Sequence, residues 1–369
     1  MRITDVSVTL WEWKDIPPTR YTRTISSSSS RNTRMGLVRI EAEGGVDGHA
    51  FVGSAYGPAE TDAAFIAGPL KQLLVGEDAL ARERIWQGMM RRGRGQMLRA
   101  VGAVDVALWD LAGRAAGVPI HRLIGSCRSS VPAYASSAVL PSPEAYAEEA
   151  VRHKETGWTA YKIHPPAIPD QDIRICRAVR EAVGDDFRLM LDSTWSYDYP
   201  EALRVGRAVE ELGFYWYQDP LADDDLYNYV KLKERLRIPI MATELPPAGP
   251  TSYAPWVMER ATDFLRGDVA VKGGITSCLK TAHLAEAFRM NYEVHHGGNS
   301  LNNVANLHLI LAIPNCEYFE VLLPDAVQKH GLVEEIVVDG DGVVHAFDDP
   351  GLGARIDFDL IERNKVATL

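Results

Sequence analysis

The sequence is poor in the features that mark a stapled, membrane-bound or polyanion-binding chain. Its four cysteines, Cys127, Cys176, Cys278 and Cys316, lie far apart with no paired spacing. That excludes a disulfide framework or a zinc knuckle and fits reduced thiols; Cys176 falls on the apolar face of an expected helix, where core packing is its job. Basic residues are in deficit, 39 Lys and Arg against 50 Asp and Glu for a net charge of −11. This argues against a nucleic-acid surface, which needs clustered cations. Charge interrupts every apolar run well short of a membrane span. The start, MRITDVSVTL, lacks a basic stretch leading into an apolar core, so a cytoplasmic location with no secretory leader is expected. No Gly-rich fingerprint follows a first strand, which weakens a doubly wound dinucleotide-binding sheet.

What is present is a change of texture near residue 130. At 369 residues the chain is long for one domain and comfortable for two. The first 60 residues read as strands, VSVTLWEW and MGLVRIEAE, with Gly-rich turns around Gly44, Gly45 and Gly48. Between them runs a polar, Ser-rich loop, 21–34, a candidate lid. Residues 58–124 read as mainly helical, with Val101, Val104, Leu108, Leu111 and Ala112 on one face. Beyond 130, short apolar strands alternate with amphipathic helices: VPAYAS, TAYKIH, FRLMLD, FYWYQD, IPIMATE, LRGDVAV, YEVHH and EYFEV. One helix opens with Ser142 as cap and Pro143 in its first turn and stops at Gly157; another, from about Asp170, aligns Ile173, Cys176, Val179 and Val183. Eight strands with intervening helices predict an α/β barrel of the (β/α)8 kind.

Polar residues at the strand ends keep step with this repeat. From Lys162 through Asp192, Gln218, Glu244, Asp268, His295 and Glu320 the spacings are 30, 26, 26, 24, 27 and 25 residues, one strand–helix unit each. Barrel enzymes build their sites from such ends, and capping alone does not explain seven in phase. Lys162 and His164, two apart on one strand, share a face. Asp192, Gln218 and Glu244 offer oxygens on consecutive strands, a set suited to Mg²⁺. Asp219 follows Gln218, and strand alternation predicts that it points away. Basic groups flank the oxygens, Lys162 and His164 on one side and His295 on the other, with Asp268 placed to orient His295. A cation between opposed bases is an arrangement for removing a proton next to a carboxylate. Lys272 has the inward parity of Asp268 and could add a further cation, or be a lysine at the strand end that reaches for solvent.

Several segments carry a more specific likeness: AVDVALWDLAGRAAGVPIHRLIG, LMLD, WYQDP, the Glu of MATE, GDVAVKGGIT and HHGGNSLNNVANLH. Over essentially its whole length the chain resembles the enolase superfamily, mandelate racemase subgroup. The resemblance implies a (β/α)7β TIM-like barrel over 126–322. It also implies an α+β capping domain over 1–125, with the mobile lid 21–34, completed by the C-terminal segment 323–369. It implies Mg²⁺ held by Asp192, Gln218 and Glu244, although the subgroup has a carboxylate where this chain has Gln218. Asp268 and His295, rather than His296, take the places of the Asp–His dyad. Glu320 takes the place of the acid that hydrogen-bonds the substrate carboxylate. Lys162 and His164 take the places of a Lys-x-Lys pair whose second member is a base. The implied activity is proton abstraction through an enediolate on a small-molecule carboxylate, foremost the dehydration of a sugar acid to a 2-keto-3-deoxy acid. Racemisation, epimerisation and cycloisomerisation are the alternatives, and a retired barrel that only binds a sugar acid is a third. A homo-oligomer is implied, with neither a nucleic-acid nor a membrane partner. Tyr56, Trp195 and Tyr197 are candidate readers of the substrate.

Overall fold

The structure, a computed structural model, describes residues 1–22, 32–93, 96–245 and 248–369. Most of the expected lid 21–34 lies outside these residues.

Near the start of the chain β1 (Ile3–Trp13), β2 (Thr33–Ala42) and β3 (Asp47–Val52) form an antiparallel sheet. Alternation along β1 buries Val6, Val8 and Leu10, the pattern of a strand with one face on a core. Gly48 was expected in a turn but lies inside β3, for a packing reason. A Cβ there would sit 2.1 Å from the Ala107 carbonyl oxygen, so the missing side chain lets the helix Leu98–Ala116 lie directly on the sheet. That helix buries Val101, Val104, Leu108, Leu111 and Ala112, as the periodicity predicts.

The barrel follows as eight parallel strands: β4 (Ser130–Ser136), β5 (Ala160–Ile163), β6 (Arg188–Asp192), β7 (Trp216–Gln218), β8 (Ile240–Ala242), β9 (Phe264–Gly267), β10 (Asn291–Val294) and β11 (Phe319–Leu322). They pair in the order β10-β9-β8-β7-β6-β5-β4-β11. Between β10 and β11 the joint is made by the approach to β11, where Tyr292 N donates to the Asn315 carbonyl at 2.8 Å. The helix Pro143–Glu155 starts as expected, with Ser142 Oγ accepting from Ala145 N. The next, Pro169–Val183, buries Cys176, Val179 and Val183, while Ile173 sits at the edge of that stripe and Ile175 inside it. β12 (Val343–His345) pairs with β4, and β13 (Lys365–Thr368) runs antiparallel to β1 as the fourth strand of the first sheet. Among the described residues no helix is long and apolar enough to cross a membrane.

Two contacts set the first sheet and its helices against the mouth of the barrel. Asp105 accepts from Thr276 N at 2.9 Å and from Thr276 Oγ1 at 2.7 Å, and Trp86 Nε1 donates to the Gly273 carbonyl at 2.9 Å. Gly273 lies in the turn after β9, which carries Asp268, and Thr276 in the first turn of the helix Ile275–Ala287 that follows it. Burial pushes the Asp105 carboxyl up to about 7, against the pull of those Thr276 hydrogen bonds.

Candidate active site

The in-phase polar residues converge at the C-terminal ends of the strands. His295, just past β10, turns Nδ1 onto Asp268 Oδ2 in a short contact. Asp268 is itself held by its other oxygen, which accepts from Ala270 N at 2.7 Å and Val271 N at 2.8 Å. With Nδ1 committed, Nε2 is the working nitrogen, and it lies 3.4 Å from Glu244 Oε1. Burial lowers the His295 pKa, but Glu244 and Asp268 outweigh it and the net shift is upward. Burial works against ionisation of Asp268 too, yet its bond to His295 leaves it lowered. Its neighbour His296 does something else. Its ring packs at a tilt against Phe319, centroids 4.1 Å apart, and neither nitrogen has a hydrogen-bond partner among the described residues. Burial drives its pKa down to about 3, so it packs as a neutral ring.

Opposite the dyad, His164 Nδ1 lies 2.8 Å from the Ser137 carbonyl oxygen, which fixes the proton on that nitrogen. Nε2 then faces Asp192 Oδ2 at 3.1 Å. Lys162, 1% exposed, lies 3.0 Å from Asp192 Oδ2, 3.1 Å from Gln218 Oε1 and 2.5 Å from Glu320 Oε1. The two imidazoles therefore flank a row formed by Asp192, Gln218 and Glu244 on neighbouring strands. Burial would raise Asp192, but Lys162 and His164 beside it hold its carboxyl well below the usual range.

Arg266 is the residue that reading strand ends overlooks. It is fully buried in β9, two positions before Asp268 and on the same face, with Nε 3.0 Å from Glu244 Oε2 and Nη2 2.5 Å from Glu320 Oε2. Burial opposes ionisation of Glu320, yet Arg266 and Lys162 keep its pKa well below normal. Period-two parity with Asp268 could have found Arg266.

Asp219 departs from its expected direction. β7 ends at Gln218, and Asp219 takes a left-handed backbone, φ 43°. Alternation is thus broken, and its Oδ2 accepts from Gln218 Nε2 at 3.2 Å. Burial, with Glu244 and Asp192 nearby, raises its carboxyl well above the usual value. Lys272 is buried, its Nζ 2.6 Å from the Leu245 carbonyl, and burial lowers its pKa to about 7. Tyr197 is not turned to a ligand, because its hydroxyl donates to Asp172 Oδ2 at 2.5 Å. Trp195 follows β6 in left-handed backbone, φ 58°, with its indole N–H buried. Tyr56 does face the site region, lining with Gly53, Ser54, Asp268 and His295 a cavity of about 140 Å³. Tyr21, with its ring 5.2 Å from His164, covers the other side.

The expected magnesium ligands already have protein partners. Asp192 Oδ1 accepts from Thr194 N at 3.1 Å, and Oδ2 meets Lys162 and His164. The Gln218 carbonyl oxygen is taken by Lys162, and its NH₂ group donates to Glu244 Oε2 at 2.9 Å. Turning that amide over would set its oxygen against two carboxylates and its NH₂ against an ammonium, so its orientation is fixed by its neighbours. Among the described residues no three carboxylate, imidazole or thiolate groups form a set able to hold a metal ion. In this arrangement the donor set does not fit Mg²⁺.

The chain is similar to known proteins in fold and in sequence. Superposed on the crystal structure of D-glucarate dehydratase from Agrobacterium tumefaciens complexed with magnesium, the chain gives a TM-score of 0.90 at 36% identity, covering 100% of both chains. It is 31% identical to the 3,6-anhydro-alpha-L-galactonate cycloisomerase of Streptomyces coelicolor over 94% of this chain and 95% of that one. It is 29% identical to the arabinonate dehydratase of Saccharolobus solfataricus over 90% and 91% of the respective chains. Residues 7–125 match the family described as Mandelate racemase / muconate lactonizing enzyme, N-terminal domain, and residues 145–360 match Enolase C-terminal domain-like. An eight-stranded parallel barrel, a separate antiparallel sheet and both matches agree: the chain belongs to the mandelate racemase/muconate lactonizing enzyme family of the enolase superfamily.

Proposed function

We propose that this chain removes the proton α to the carboxylate of a sugar acid and then eliminates the β-hydroxyl, giving a 2-keto-3-deoxy acid. The observation that carries the reading is the pair of imidazoles, His295 Nε2 and His164 Nε2, facing one carboxylate row from opposite sides. One imidazole accepts the α-proton, and the C–H electron pair passes into an enediolate. Protonated His295 then gives its proton to the departing β-hydroxyl, which leaves as water, and the resulting enol becomes the keto acid. Asp268 holds the ring and favours the protonated form needed for that second step. Glu320 and Lys162 lie where the substrate carboxylate would be met. The curated dehydratase relatives support the class of reaction. The glucarate dehydratase neighbour is complexed with magnesium; no step here is routed through a metal.

A second reading, cycloisomerisation, shares the first proton transfer and is supported by the 31% identical cycloisomerase. Incubating the protein in D₂O with a panel of mono- and diacid sugars separates the two. Dehydration yields a keto acid that forms a semicarbazone, whereas cycloisomerisation incorporates deuterium without loss of water. A panel showing neither exchange nor keto acid would leave a binding protein. The small carboxylate is the only partner this reading requires.

A further inference from the structure

The oxygens expected to face a divalent cation already face cations of the protein. Lys162 Nζ touches Asp192, Gln218 and Glu320, and Arg266 joins Glu244 to Glu320. We propose that Lys162 and Arg266 are the resident cations of this site, with Lys162 receiving the ligand carboxylate and Arg266 positioning Glu244 and Glu320, so that no divalent metal is needed. The inference rests on the proton-abstraction reading for its chemistry, but its test does not depend on turnover.

Charge leads to the same assignment. Gln218 removes one negative charge from the row, and Arg266 adds a positive charge that cannot be neutralised at any working pH. A buried guanidinium persists only when paired, and here two glutamates pair with it. An arriving Mg²⁺ would meet an ammonium and a guanidinium a few ångströms away and would have to displace both from the oxygens it needs. The carboxylate of a ligand meets the opposite situation. Of the three acceptors around Lys162 Nζ only Gln218 Oε1 is neutral, so it is the contact a ligand oxygen would replace with profit in Coulomb energy. When the α-proton passes to imidazole, the C–H pair spreads onto the carboxylate oxygens. The second negative charge then develops beside Lys162, where an ammonium stabilises it without reorganising.

Calorimetry on protein dialysed against EDTA tests the assignment, with Mg²⁺ alone and oxalate, a planar dianion of enediolate-like charge, as probes. Wild type is expected to take up no Mg²⁺ at millimolar concentration and to bind oxalate equally with and without EDTA. Gln218→Glu combined with Arg266→Gln rebuilds a third carboxylate and removes the guanidinium, and it should gain Mg²⁺ affinity by about tenfold or more, ~1.4 kcal/mol. If Arg266 had a purely structural role, the double variant would bind Mg²⁺ no more tightly than Gln218→Glu alone. If the double variant fails to fold, Gln218→Glu alone carries the same sign, and the wild-type titrations stand by themselves. Stoichiometric Mg²⁺ binding by wild type, or oxalate binding lost in EDTA, overturns the inference. Absence of oxalate binding under both conditions overturns the role of Lys162. Turnover of a sugar acid only in the presence of Mg²⁺ sinks this inference while upholding the dehydratase reading. Metal-independent oxalate binding with no turnover does the reverse.

Discussion

The two halves of the site are built on different logic. On the side of β9 and β10, Asp268 and His295 form a dyad in which each hydrogen bond points toward one free nitrogen. On the side of β6 to β8, Asp192, Gln218 and Glu244 have their oxygens filled by Lys162, His164 and Arg266. The first half leaves a proton acceptor open; the second satisfies its own charges. The dyad thus serves proton transfer alone, whereas on the other side His164 joins proton handling to charge compensation, and a substitution of Arg266 should leave the dyad in place.

The largest effect is expected on the dyad side. His295→Asn should lower α-proton exchange by ~10²–10⁴-fold, the usual contribution of a general acid–base group. Circular dichroism and oxalate affinity should stay close to wild type. Exchange above about a tenth of wild type would erase the contrast, because the dyad would not be the proton-handling half. Next comes the compensating side. Arg266→Leu takes the guanidinium from two buried carboxylates and should cost about 3–5 kcal/mol in denaturant unfolding. A loss below roughly 1 kcal/mol would mean that the guanidinium is not the counter-charge described.

A smaller effect sharpens the division through pH. Glu244 and Asp268 hold His295 above the ordinary imidazole value against the opposing effect of burial. If it serves as the base, the acid limb of kcat/KM lies above 6.5, with activity lost as pH falls through it. Asp268→Asn removes one source of that upward shift and should move the limb to lower pH, along with a lower kcat. An unmoved limb would mean that His295 does not set the profile. The smallest effect concerns the cover. Tyr21→Phe removes a hydrogen bond to the Leu323 carbonyl at 2.9 Å and should cost about 0.5–1.5 kcal/mol in stability, with exchange nearly intact.

The barrel was legible because its signal repeats. Eight apolar runs, the last seven ended by polar residues about 26 positions apart, leave little freedom once strands and helices alternate. The same phase brought Lys162, His164, Asp192, Gln218, Glu244, Asp268, His295 and Glu320 to one mouth. What escaped has local causes. Asp219 was assigned by alternation, which ends where β7 ends and the backbone turns left-handed. Gly48 reads as a turn residue because nothing in its own segment announces a helix pressing on it. Arg266 lies one layer below the strand ends; parity with Asp268 points it inward, but nothing in its own segment announces the two glutamates 22 and 54 residues away that pair with it. The magnesium expectation followed residue types by position; side-chain contacts decide whether such positions are open to a cation.

The fourth strand of the first sheet has a consequence in time. Thr9 and Thr368 meet across β1 and β13, 359 residues apart. At ribosomal speeds of about 5–20 residues per second, roughly 20–70 s separate the emergence of the two strands. Through that interval the β1 edge bears unpaired amides and carbonyls, the kind of surface that recruits stray strands. Chaperone retention during synthesis should therefore centre on the β1–β3 sheet rather than on the barrel. Joining β13 to β1 through a short linker, with new ends opened elsewhere, should shorten the vulnerable period and raise soluble yield without touching the site.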